Sequence, residues 1–94
     1  MFSFSKHASE KMKERGIGIE DLRRVFENPI FRFYDVSSRA EVTIGESILY
    51  DLKIFLVVIF RRKDDCLHII TIYPIRNVRE EVERKVKSGR WIQI

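Results

Sequence analysis

Lys53-Ile54-Phe55-Leu56-Val57-Val58-Ile59-Phe60-Arg61 is the stretch that decides the fold. Its apolar run, Ile54 to Phe60, is the longest in the chain. Seven residues of this kind suit a strand covered on both faces. Reading outward, Lys63-Asp64-Asp65 is a turn, and Leu67 to Tyr73 is a second branched-residue strand closed by Pro74. On the other side, Arg39, Glu41 and Thr43 alternate with Ala40, Val42 and Ile44, the pattern of a half-buried strand. Gly45 and Ser47 mark the bend after it. Ile30 to Val36 is aromatic and branched, which reads as one more strand, with Ser37-Ser38 as its turn.

Helices flank this block. Ser5 is a plausible N-cap for a helix from Lys6 to Arg15, and Gly16 is its stop. Ala8, Met12 and Arg15 give that helix one narrow stripe. A second helix runs from Ile19 to Glu27, behind Gly18 as a second-rank cap. Glu20 and Asp21 sit where carboxylates favour the positive end of the helix dipole. Asn77 followed by Glu80 begins a third helix in the manner of a capping box, and Ser88-Gly89 ends it. The order α-α-β-β-β-β-α predicts an α+β fold: a four-stranded, mainly antiparallel sheet with its helices on one face and the other face open. The tail, Trp91, Ile92 and Ile94, is apolar enough that it should dock on the core, on a sheet edge or on a second copy.

The chain has 94 residues and a mass of 11.3 kDa, which fits one domain over residues 1–94. With 45% hydrophobic and 34% charged residues it has globular composition. One cysteine, Cys66, excludes an internal disulfide framework and any paired-cysteine zinc site. No apolar run is long enough for a membrane helix, and Met1 to Lys6 has no signal-peptide pattern, so the expected location is the cytoplasm. The net charge is +4, with 11 arginines against 7 lysines. Arginine pairs bidentately with phosphate oxygens, so the excess leans toward nucleic acid.

Few residues carry chemistry. Alternation along Leu67 to Tyr73 puts Ile70 and Ile72 on one face and Leu67, Ile69, Thr71 and Tyr73 on the other. If the isoleucines face the helices, Thr71 and Tyr73 project from the open face, although strand propensity explains both residues equally well. His7, in the first turn of its helix, feels a positive dipole end that favours the neutral ring, the form that accepts a proton. Its bland reading is a surface histidine. His68 reads as structural or surface and Cys66 as a small semi-buried residue; the two could share a face, but a metal needs a third ligand and only His7 or carboxylates remain. Neither a metal nor a cofactor is expected. Counting along the central strand puts Arg61 on the open face, and Arg76 follows the last strand directly. Arg32 and Tyr34 could line the same face. Histidine, hydroxyls, a phenol and arginines suit RNA phosphodiester cleavage, in which a 2′-hydroxyl attacks the adjacent phosphorus.

Two stretches carry a resemblance. His7-Ala8-Ser9-Glu10-Lys11-Met12-Lys13-Glu14-Arg15-Gly16-Ile17 resembles the H-A-x-x-R-M-x-x-R-G-I opening of a family of small bacterial and archaeal proteins that carry a domain of unknown function. Ile70-Thr71-Ile72-Tyr73 resembles that family's closing I-T-x-Y strand. Lys11 stands where the family has arginine, and Gly18 where it has a Ser or Thr cap. The family is grouped with RelE-like toxins, in the barnase–EndoU–colicin–RelE fold. The resemblance implies a metal-independent endoribonuclease toxin with His7, Thr71 and Tyr73 as catalytic residues. It adds Lys11 and Arg15 to Arg61 and Arg76 as substrate contacts. Arg15 has a structural alternative, since it also suits the negative end of its helix. The partners implied are RNA, ribosome-bound or free, and an antitoxin protein. A homodimer through the C-terminal tail is a further expectation. The alternative is a non-catalytic RNA- or protein-binding module of the same fold.

Overall fold

The structure is a computed structural model that describes residues Met1–Ile94. In chain order its elements are β1 (Phe2–Phe4), α1 (Lys6–Arg15), α2 (Ile19–Glu27), β2 (Pro29–Asp35), β3 (Ala40–Leu49), β4 (Leu52–Lys63), β5 (Cys66–Ile75), α3 (Val78–Lys87) and β6 (Trp91–Gln93). The class is α+β, as expected. The sheet has six strands rather than four, in the order β1-β5-β4-β3-β2-β6. Four of its five neighbouring pairs are antiparallel, and β1 adds a parallel pair on β5. The apolar run that decided the reading lies in β4, at the middle of the sheet. The two extra strands are three residues each, too short to leave an alternating pattern.

Burial on both faces of β4 divides the core in two. Ile54, Leu56, Val58 and Phe60 pack with Ala8 and Met12 of α1 and with Leu22 and Val25 of α2. Val57 and Ile59 pack with Phe33, Val42, Ile44 and Trp91, and Val78 and Val82 of α3 close over that cluster. The helices therefore lie on both faces. The expectation of one open face is corrected, because the branched stripe of α3 needs apolar surface and the odd-numbered residues of β4 provide it. The tail docks on its own sheet: β6 pairs with β2, and Trp91 is 1% exposed against Phe33.

Local chemistry fixes the α1 face. The Ser5 hydroxyl accepts from the Ala8 N–H and donates to the Ile70 carbonyl, while the Ser5 N–H donates to Ile69. This clasp sets the leading end of α1 on β5. Gly16 ends the helix at φ 66°, a left-handed value that glycine adopts freely. The Gly18 N–H donates to Asp21 Oδ2 at 2.8 Å, so a carboxylate replaces the missing side-chain cap. Gly45 lets α2 approach β3 closely, since a Cβ there would stand 2.9 Å from Val25 Cα. For that reason β3 runs straight through the position expected to bend.

Candidate functional site

β5 carries a bulge that changes which side chains share a face. Phe60 pairs with Ile69, but Ile59 pairs with Thr71, so Ile70 is the surplus residue. Ile69 and Ile72 face α1 and α2, whereas Ile70 and Tyr73 pack with the α3-side cluster. Thr71, opposite Ile59, belongs to that second side. Strict alternation, with Ile70 and Ile72 on one face and Ile69 with Thr71 on the other, is corrected by this one residue.

His7, Lys11 and Arg15 recur at i, i+4 and i+8 and share one flank of α1. Ser9 and Lys13 line the groove toward Ile17 and Ile19, where α2 begins. The His7 flank therefore looks the other way, along the outer side of β5. The end of α1 confirms this, because Glu14 and Arg15 share a groove with Pro74, Ile75 and Arg76. α1 thus runs in the same direction as β5, from the Ser5 clasp to the Arg15–Arg76 groove. β1 pairs only with Leu67 to Ile69, so no strand covers the outer side of β5 beyond that point.

The expected site residues divide into three places. His7, Lys11, Arg15 and Arg76 line the α1–β5 edge. Lys11 pairs with Glu14 at 3.4 Å, while Arg15 and Arg76 are in none of the side-chain hydrogen bonds or ion pairs. Thr71 and Tyr73 lie across the β5 backbone, on the α3 side, and no hydrogen bond joins either to His7. Arg61 is at the far end of β4, where its guanidinium donates to the carbonyls of Ser38 at 2.5 Å and Arg39 at 3.4 Å. It steadies the turn between β2 and β3.

Tyr73 has a fixed partner. Its hydroxyl donates to Glu81 Oε2 at 2.6 Å, and Arg84 donates to the other oxygen of that carboxylate. Burial pushes the Tyr73 phenol well above its ordinary range, and Glu81 adds to the rise. Burial alone would raise the Glu81 carboxyl, but the hydrogen bonds from Tyr73 and Arg84 outweigh it and lower it. The same logic anchors the tail. Asp35 is 0% exposed and accepts from the Ser38 N–H, from Trp91 Nε1 at 3.1 Å and from Arg90. Burial would raise the Asp35 carboxyl, but these donors hold it below its usual range. His68 meets Ser3 at 2.8 Å across β1 and β5, which favours the structural of its two readings.

One residue of the groove escaped the sequence reading. Tyr50, at the turn between β3 and β4, forms a wall beside Leu49 and Leu52. Leu49-Tyr50-Asp51-Leu52 has no glycine, and the only turn signal in it is Asp51, a residue type that tolerates positive φ. Elsewhere, no three His, Cys, Asp or Glu side chains gather where they could hold a metal ion. No helix is long and apolar enough to cross a membrane.

A family model described as Domain of unknown function (DUF4258) matches residues 4–74, and the chain belongs to that family. The matched span takes in α1, α2 and β2 to β4, with β5 up to Pro74. It ends inside the Arg15–Arg76 groove. No curated protein and no solved structure matches the chain.

Proposed function

We propose that this DUF4258 protein acts on RNA, binding the phosphodiester backbone along the α1–β5 edge and cleaving it without a metal, in the manner of a RelE-like toxin. The observation that carries the reading is the pairing of Arg15 and Arg76, two guanidinium groups without partners at one groove. Most other arginines are tied to a carboxylate or a carbonyl. An unpaired arginine beside an apolar floor is suited to planar, bidentate capture of phosphate oxygens. Lys11 and His7 extend the same flank toward the start of α1.

In this reading His7 takes the proton of a ribose 2′-hydroxyl. The O2′–P bond forms, the P–O5′ bond breaks, and the 5′-oxygen takes a proton from water. The products are a 2′,3′-cyclic phosphate and a 5′-hydroxyl. Lys11, one helical turn from His7, is the cation near enough to offset the charge on phosphorus during the step, while Arg15 and Arg76, at a groove about 12 Å from His7 along the helix, hold a neighbouring phosphate. Thr71 and Tyr73 are left out of proton transfer, because they lie across the strand backbone and the Tyr73 hydroxyl is committed to Glu81. That commitment is also what favours the second reading, a module that binds RNA and leaves it intact. The expected location of such a protein is the cytoplasm, with an antitoxin as protein partner. Trp91 is occupied in the protein's own core, so a tail-mediated homodimer would rest on Ile92 and Ile94 alone.

The test is incubation of the purified chain with RNA and with ribosomes in the presence of EDTA. Cleavage that disappears in His7→Ala supports the nuclease. Salt-dependent binding without cleavage selects the binding module. No binding and no cleavage in either setting, with no growth arrest on expression, refutes both.

A further inference from the structure

We propose that the groove between the end of α1, the β3–β4 turn and the end of β5 is a nucleotide site, in which Tyr50 stacks on the base and Arg15 with Arg76 hold the phosphate. The proposal rests on the RNA reading and gives it a specific subsite, because it adds recognition of a base to capture of a backbone.

The β3–β4 turn is the first observation. Tyr50 and Asp51 occupy its central positions at φ 51° and 63°. Two-residue hairpin turns of this hand favour Asn-Gly, since most side chains are disfavoured at positive φ. An aromatic side chain held there is a local strain, and such strain is concentrated at functional positions. Burial does not explain it, because Tyr50 is 80% exposed. The Tyr50 hydroxyl takes part in no hydrogen bond.

The placement of the ring is the second observation. Tyr50 leans over the end of α1, with its hydroxyl oxygen 3.0 Å from where a Cβ on Gly16 would stand. Gly16 thus serves twice, as the left-handed helix stop and as the space the ring fills. The groove holds about 400 Å³, enough for a nucleotide-sized ligand. Ile54 and Pro74 supply an apolar floor, the exposed Leu52 stands in the wall with Tyr50, and the exposed Arg15 and Arg76 stand at the rim. Glu14 also lines the groove, with its charge offset by Lys11. A simple anion would use the arginines and leave the exposed ring idle. A nucleoside monophosphate uses both, since any base can stack on a tyrosine face.

The full chain, labelled with nitrogen-15, is titrated by NMR with adenosine monophosphate, ribose 5-phosphate and inorganic phosphate. A labelled oligoribonucleotide is tested separately by fluorescence anisotropy. Adenosine monophosphate is expected to shift the Gly16, Tyr50 and Arg76 amides and to bind about tenfold more tightly than ribose 5-phosphate, the gain from stacking. Tyr50→Asn keeps a residue that accepts positive φ and should lose that gain while still binding inorganic phosphate. Tyr50→Phe should retain it. Equal binding of adenosine monophosphate and ribose 5-phosphate, or an unchanged gain in Tyr50→Asn, overturns the site. An oligoribonucleotide bound equally by wild type and Tyr50→Asn refutes the subsite and leaves the RNA reading standing. Monophosphate binding that depends on Tyr50, with no binding or cleavage of the oligoribonucleotide, refutes the RNA reading and upholds the site.

Discussion

The two sides of β5 use the same residue types in opposite ways. On the α3 side the two buried carboxylates gather their donors: Tyr73 and Arg84 on Glu81, Trp91 and Arg90 on Asp35. Along the α1 side the exposed His7 and the arginines Arg15 and Arg76 face outward without partners. A buried polar group must be paired, because leaving it unpaired is costly. A surface cation can wait for a ligand at little cost. The first arrangement holds the fold, and the second is free to bind.

The largest effect should come from breaking the satisfied side. Trp91→Ala removes a buried indole and leaves Asp35 short of a donor, which should cost about 3–5 kcal/mol of stability. Denaturant unfolding checks this. A change below about 1 kcal/mol, small for a buried aromatic, would mean that the tail does not close the core. The free side should behave in the opposite way. Arg15→Ala with Arg76→Ala should change stability by no more than about 0.5 kcal/mol, as surface substitutions do. RNA affinity should fall, and the salt dependence of binding should flatten by about one unit of slope for each phosphate that is no longer neutralised. Filter binding at several salt concentrations measures both quantities.

His7→Ala sharpens the comparison within the free side. Cleavage should fall by about 100-fold or more if the imidazole moves the proton, while binding should change little. Acid titration separates the two sides by another route. The carboxyls of Asp35 and Glu81 are held below their ordinary values in the folded chain. Each therefore contributes stability that is complete above its unfolded pKa of about 4 and is lost as pH falls through the lowered folded value. Thermal melts should show stability dropping below about pH 4, and Asp35→Asn should flatten that drop. On cleavage the smallest effect is expected for Tyr73→Phe, whose cost is in stability, at about 1.5–3 kcal/mol for one hydrogen bond to a charged acceptor. Its cleavage rate should match wild type, and a large loss would return Tyr73 to the reaction.

Periodicity made the middle of the fold legible. The Ile54–Phe60 run, the alternation from Ala40 and the caps at Ser5 and Asn77 all report local preferences that the tertiary structure keeps. The side of the sheet taken by α3 was not legible, because a stripe of Val78, Val82 and Val86 says that a helix packs and not which face receives it. Strands of three residues fall below any period. The site was half legible. Arg15 and Arg76 lie in the two quoted blocks or just beyond them, and the structure brings them to one groove. Thr71 and Tyr73 were placed with His7 by alternation and resemblance, yet packing puts them across the strand. Tyr50 gave no signal, because its role depends on backbone dihedral angles and on the room left by a distant glycine.

The surplus residue in β5 has a consequence for how this architecture can vary. Losing one residue from a strand ordinarily turns every later side chain inside out. Here a chain without Ile70 would keep Ile69, Ile72 and Tyr73 on their present sides, since Phe60 and Ile59 would then meet successive partners. What would be lost is the second carbonyl grasped by Ser5 and the Ile70 side chain packed on the α3-side cluster. The insertion therefore works as a second mounting point for the leading end of the first helix, which without it would hang on the Ser5 N–H bond to Ile69 and on buried Ala8.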